Sequence, residues 1–152
     1  MLHRAHHADR AMDASTAVRF HPLEILASSV LRPLVIVLLG MEVAHLAVYE
    51  AVLLPVILFH HSNYALPSKA DRALRSLIVT PDMHRVHHSR VVAETHSNYS
   101  SVFSFWDRLF GSYREREDTR SIDLGLNILR EDRWQGFPGI LLTPFAGRLK
   151  RK

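Results

Sequence analysis

Between Ile25 and Phe59 the only acidic, basic or histidine side chains are Arg32, Glu42, His45 and Glu50. No feature of the chain constrains its fold more. Neither apolar run inside this segment, 33–41 or 51–59, carries a polar stripe at helical period, so both read as helices that are apolar all round. One membrane span needs about 20 such residues. The segment holds 35, which predicts two short helices turning near Gly40, where glycine tolerates the backbone angles of a reversal. Each would be about 24–27 Å long at 1.5 Å per residue, just short of a hydrocarbon core of about 30 Å. Pro33 and Pro55 are expected at helix ends or kinks. The alternative is a buried helical pair inside a soluble protein.

Two copies of one motif flank this segment. His3-Arg4-Ala5-His6-His7 precedes it and His84-Arg85-Val86-His87-His88 follows it. Positions i, i+3 and i+4 share one helix face, where three imidazoles can grip a metal ion. With 11 histidines in 152 residues, chance supplies roughly 0.05 copies of HxxHH, so two copies call for a cause other than coincidental surface histidines. If both serve one site, the chain between them must leave and return to the same side, as two crossings allow. Arg4, Arg10 and Arg19 precede the apolar segment, Lys69, Arg72, Arg75, Arg85 and Arg90 follow it, and only Glu42 sits near the expected turn, which predicts that both boxes lie on the cytoplasmic side.

Composition narrows the chemistry. The chain has no cysteine, which excludes disulfides, zinc fingers and cysteine-ligated clusters. A metal here rests on histidine and carboxylate, and imidazole suits zinc, copper, iron and nickel alike. The net charge is +4 and the chain ends Arg148-Leu149-Lys150-Arg151-Lys152. No basic run is interleaved with stacking aromatics, which argues against nucleic acid as a partner. Polar and charged residues from His3 to Arg10 leave no apolar core for a signal peptide.

Elsewhere, His60-His61 closes the second apolar run, as a dipole-favoured helix end or as further ligands. Residues 68–79 predict a short amphipathic helix, broken at Thr80-Pro81. The run Phe103 to Tyr113 carries aromatics that suit either a membrane interface or packing against the site. The Gly/Pro-broken stretch 136–146 suggests a helix lying on a membrane surface. Two divisions are expected: residues 1–117 holding the boxes and the apolar pair, and a tail over 118–152.

The order HRAHH, RFHPLE, apolar pair, HHSN, LP, TPDMHRVHH, SNY and FWDRLFGSY resembles the fatty acid hydroxylase / sterol desaturase superfamily of membrane non-haem di-iron oxidases. The resemblance implies an all-α fold, an integral-membrane helical hairpin under a cytoplasmic histidine-rich cap. It implies a metal set of His3, His6, His7, His61, His84, His87 and His88, with His60 a weaker candidate. It further implies two iron ions, O2 as co-substrate, a lipid substrate that is hydroxylated or desaturated, and an external reductase or small redox protein. The short apolar pair and compact loops fit a bacterial inner membrane. Asp9, Asp13, Asp82, Glu94 and Asp107 are the expected acceptors for the histidines' second N–H. His96 is read as a loop residue.

Two departures stand out. Ser100 sits where the family usually has glycine, and the family's earlier HxxxH box does not precede His3. The expectation is therefore the C-terminal part of a longer enzyme. The competing reading is a degenerate, non-catalytic, histidine-rich metal-binding membrane protein.

Overall fold

The computed structural model describes residues 1–146; the basic ending lies outside them. Its helices are α1 (Arg4–His7), α2 (Pro22–Leu38), α3 (Val43–His61), α4 (Ser68–Leu74), α5 (Pro81–His87), α6 (Val92–Thr95), α7 (Phe105–Leu109) and α8 (Phe137–Leu142), with 3-10 turns at Ala14–Val18 and Asp132–Trp134. Among the described residues, β structure is limited to two isolated bridges, Ile78 with Phe103 and Ser89 with Leu124. The expected all-α character holds.

Local chemistry starts and stops the long helices. His21 caps α2, its Nδ1 accepting from the Leu23 amide, with Pro22 in the first turn. Pro22 suits that place because its missing N–H would be unpaired anyway. Gly40 closes the helix with φ +67°, a left-handed backbone that glycine adopts without penalty. Glu42 and His45 then form a reciprocal cap on α3. Both helices run through their prolines, Pro33 in α2 and Pro55 in α3, so neither residue ends a helix. The amphipathic helix expected over 68–79 is shorter than that. It stops at Leu74, and Val79 turns to donate its amide to the Val102 carbonyl.

The two long helices bury almost none of their apolar surface. Only 11% of the most apolar α3 window is buried, while Leu26, Val30, Leu38, Val43 and Val48 are all exposed. By length and composition α3 can cross a membrane. Arg32 of α2 and Glu50 of α3 pair across the two helices.

The remaining helices pack into a small cap whose interior is unusually polar. Met12, Val86, Ile122 and Leu124 form one apolar cluster. Around it are buried His6, His7, His60, His61, His84, His87, His88, Asp71, Asn98 and Asp107. Asn98, at φ 51°, ties the cap together: its side chain donates to the Met83 and Arg114 carbonyls and accepts from the Arg114 amide. The segment after residue 118 folds back over the first histidine box. Arg19 donates to the Gln135 and Trp134 carbonyls, Gln135 to the Ala8 carbonyl, and Gly125 to the His88 carbonyl.

Candidate metal centre

Three helix segments bring the box histidines together. The short α1 turns His6 and His7 inward, with His3 at its N-cap. The last turn of α3 supplies His60 and His61. Helix α5 supplies His84 and His87, with His88 at its C-cap. That helix begins as the Thr80-Pro81-Asp82 run suggests: the Thr80 hydroxyl accepts from the Met83 amide, and Pro81 opens the first turn.

The seven histidines form two groups. The ligand nitrogens of His6, His61, His84 and His88 lie within 4.8 Å of one another, and so do those of His3, His7 and His87. Each box is split between the groups, so a box is not itself a site. His60 belongs to neither: its ring lies 4.1 Å from that of His84, and its Nδ1 is buried without a partner. His96 stays outside, near the Tyr99 hydroxyl. His21 and His45 serve as caps.

Hydrogen bonds fix which nitrogen is free on three of the rings. The Nδ1 of His6 donates to the Thr16 carbonyl at 3.0 Å, that of His61 to the Ile57 carbonyl at 2.8 Å, and that of His87 to the Ser97 carbonyl at 2.8 Å. A carbonyl only accepts, so each of these Nδ1 atoms carries the proton and each neutral ring keeps its Nε2 lone pair. The Nε2 atoms of His6 and His61 then face each other at 3.1 Å. Two lone pairs at that distance repel unless a cation lies between them. His84 Nε2 stands 3.0 Å from His61 Nε2, and His88 Nε2 stands 3.2 Å from His84 Nε2. Nitrogens so spaced can each sit about 2.1 Å from one common ion. The donor set therefore fits a divalent metal.

A shared proton is a poor substitute for that metal. Burial, reinforced by the neighbouring imidazoles, pushes His6, His84 and His88 well below the usual histidine range and His7 down to about 2. His87 is lowered by burial too, against the opposing pull of the Ser97 carbonyl. The rings are neutral at neutral pH, as metal ligands must be. Phe20 stacks flat on His6 at 4.9 Å and shields it.

The expected carboxylate acceptors act differently. Asp9 and Asp13 hold the 3-10 turn that presents the Thr16 carbonyl: Asp9 accepts from the Thr16 hydroxyl and Asp13 from the Ser15 amide. Glu94 accepts from Ser89 and Arg116. Asp107 accepts from the Tyr99 and Ser100 amides and the Ser112 hydroxyl. Asp82 pairs with Arg120. These groups shape the backbone that orients the rings rather than touching them. The carboxylate that does reach a box histidine was not among those expected. Glu24 Oε1 accepts from His3 Nδ1 at 2.7 Å, and its Oε2 is buried without a partner. An acid in the first turn of the helix that follows the box was the available signal.

Seven histidines converging from three helices, beside long helices that turn apolar side chains outward, define a helical metal-binding protein with a strongly apolar exterior. The chain belongs to the fatty acid hydroxylase family, whose profile, described as "Fatty acid hydroxylase", matches residues 1–112. It is 27% identical over 151 residues to the protein named ornithine lipid hydroxylase OlsE of Rhizobium tropici, across 99% of this chain and 44% of that relative. The chain thus spans less than half the length of the curated relative it matches. No solved structure matches it significantly.

Proposed function

We propose that this chain carries the metal centre of a membrane-bound, O2-dependent lipid oxidoreductase, and that the centre holds two iron ions. The carrying observation is the pair of facing Nε2 lone pairs on His6 and His61 inside a group of four buried histidines. On this reading His6, His61, His84 and His88 hold one ion. His3, His7 and His87 hold the other. Bound iron supplies the step that no side chain here can perform, activation of O2 and oxidation of an unactivated C–H bond.

The chain's own residues do the rest. The carbonyls of Thr16, Ile57 and Ser97 fix ring tautomer and orientation, so the ligand atoms are placed before any ion arrives. Burial keeps the rings neutral and available. The exposed apolar faces of α2 and α3 lie in the bilayer as a hairpin and offer a hydrocarbon chain a dry path towards the histidines. The name of the Rhizobium relative supports an acyl lipid with an amino-acid headgroup as the first substrate to try, and hydroxylation as the first outcome. The chain shows no flavin, haem or nicotinamide motif, so electrons come from a separate reductase or small redox protein. The flanking positive charges support a cytoplasmic position for the centre, in a bacterial inner membrane.

The test is iron content and turnover of the full chain in detergent or nanodiscs. The proposal expects two irons per chain and, with reductant, label from isotopic O2 in a hydroxylated lipid. A chain that binds one metal and consumes no O2 with reductant belongs to the non-catalytic metal-binding reading instead.

A further inference from the structure

Two segments of the cap are inside out. A helix on a water-soluble protein buries its apolar stripe and exposes its polar face. Helix α8 does the reverse. It buries Gly139 and exposes Phe137 and Leu142, and just past its end Thr143 is buried while Phe145 is 76% exposed. Its inward face cannot be exchanged for a larger one: a Cβ on Gly139 would lie 2.3 Å from the Arg133 carbonyl oxygen.

The second segment runs from Phe103 to Phe110 and shows the same inversion. Ser104 and Asp107 are fully buried. Ser104 donates to the Arg75 carbonyl, and Asp107 collects the Tyr99 and Ser100 amides. The outward side is a ridge of Phe103, Phe105, Trp106, Leu109 and Phe110. Its rings adjoin one another, Phe103–Phe105 and Trp106–Phe110 stacked with centroids 5.7 and 6.0 Å apart and Phe105–Trp106 tilted at 4.6 Å. Contiguous apolar patches of this kind mark a surface that something covers.

Their positions say what covers them. Helix α8 is fastened where α2 begins: His21, the N-cap of α2, donates from Nε2 to the Leu141 carbonyl at 3.2 Å, and Arg4 reaches the Ala146 carbonyl. The aromatic ridge follows Val102, whose carbonyl accepts from the Val79 amide just ahead of α5, and α5 carries His84, whose ring lies 4.1 Å from that of His60 in the last turn of α3. Each inverted segment therefore sits at the foot of one apolar helix. Aromatic rings and short apolar helices at that level suit the boundary between lipid headgroups and acyl chains. We infer that α8 and the Phe103–Phe110 ridge lie in that boundary, flanking the feet of α2 and α3, and so fix the depth of the histidine centre against the bilayer surface. The inference rests on the membrane-bound reading above. It adds that the cap itself, and not only the long helices, is wetted by lipid.

Depth-dependent fluorescence quenching tests it. The full chain carries two tryptophans, Trp106 and Trp134, so Trp134→Phe leaves Trp106 as the single reporter. A Trp-free background with Leu142→Trp reports α8, and the same background with Val52→Trp reports the middle of α3. Each is reconstituted in phosphatidylcholine/phosphatidylglycerol vesicles containing lipids brominated either near the headgroup or near the chain end. For segments sitting about 5–10 Å deep, Trp106 and Leu142→Trp should be quenched about twofold or more better by the shallow bromines, and Val52→Trp better by the deep ones. If Val52→Trp is quenched while the two cap reporters respond to neither lipid, the interfacial inference fails and the membrane reading stands. Best quenching of the cap reporters by deep bromines overturns the inference as well. If Val52→Trp is also silent, both readings fall.

Discussion

The two histidine groups differ in how they are held. In the four-membered group every ring is buried, and two rings are pinned by backbone carbonyls, those of Thr16 and Ile57. In the three-membered group His3 is exposed and leans on the Glu24 carboxylate, while His87 is pinned by the Ser97 carbonyl. Backbone carbonyls move only with the fold, so the first group is organised whether or not an ion is bound. A side-chain carboxylate on an exposed ring can swing, so the second group is the adjustable one. Open coordination is what a reacting centre needs, and full enclosure is what a retained ion needs. One centre can thus divide the two tasks.

The sharpest way to break this comparison is to remove a shared pillar of the enclosed group. His61→Ala deletes the only member of that group drawn from α3 and removes the Nε2 atom that faces His6 at 3.1 Å. It should abolish binding of the tighter ion, read as the loss of about one metal per chain in elemental analysis. An unchanged metal content would remove His61 from the ligand set.

Next comes Glu24→Gln. Loss of a carboxylate behind a ligating histidine weakens metal affinity by about 10–100-fold. The weakening should fall on the looser ion only, leaving the tighter one in competition titrations with a chelator. Equal weakening of both would erase the distinction between the groups.

A smaller effect is expected from acid on the metal-stripped chain. His7 is lowered from 6.5 to about 2 in the folded protein, and His6, His84 and His88 are lowered too. Below pH 6.5 the unfolded chain therefore binds more protons than the folded one, and stability falls as pH falls. Thermal unfolding of the stripped chain should be flat above about pH 6.5 and decline steadily beneath it. A stability maximum near pH 5 would contradict neutral, buried rings. The smallest effect belongs to His96→Ala, which should leave metal content unchanged, because His96 joins neither group.

What could be read from the sequence follows the range of the forces involved. The HxxHH spacing is a local matter, since one helix turn brings i, i+3 and i+4 to one face, and the boxes do converge. How they divide is not local. His6 leaves its box neighbours His3 and His7 to join His61, His84 and His88, a choice made by the packing of α1 against α3 and α5. The five proposed carboxylate partners failed for a related reason: proximity in sequence placed Asp9, Asp13 and Asp107 near the rings, but backbone amides and hydroxyls captured them first. Glu24 succeeded from 21 residues away from His3. Among the helices, the break expected near Gly40 is present, with α2 ending at Leu38 and α3 starting at Val43, whereas the helix expected over 68–79 ends at Leu74 and Val79 pairs with Val102.

The meeting of His6 with His61 has one more consequence. It closes a span of 55 residues in a chain that has no cysteine to do so. An ion gripped by both rings would act as a removable staple on the unfolded ensemble. By the loop-entropy relation used for covalent cross-links, closing a loop of that size is worth about 4 kcal/mol. That is a large fraction of a small domain's stability. Supply of metal would then govern not only what this protein can do but whether newly made copies hold their shape.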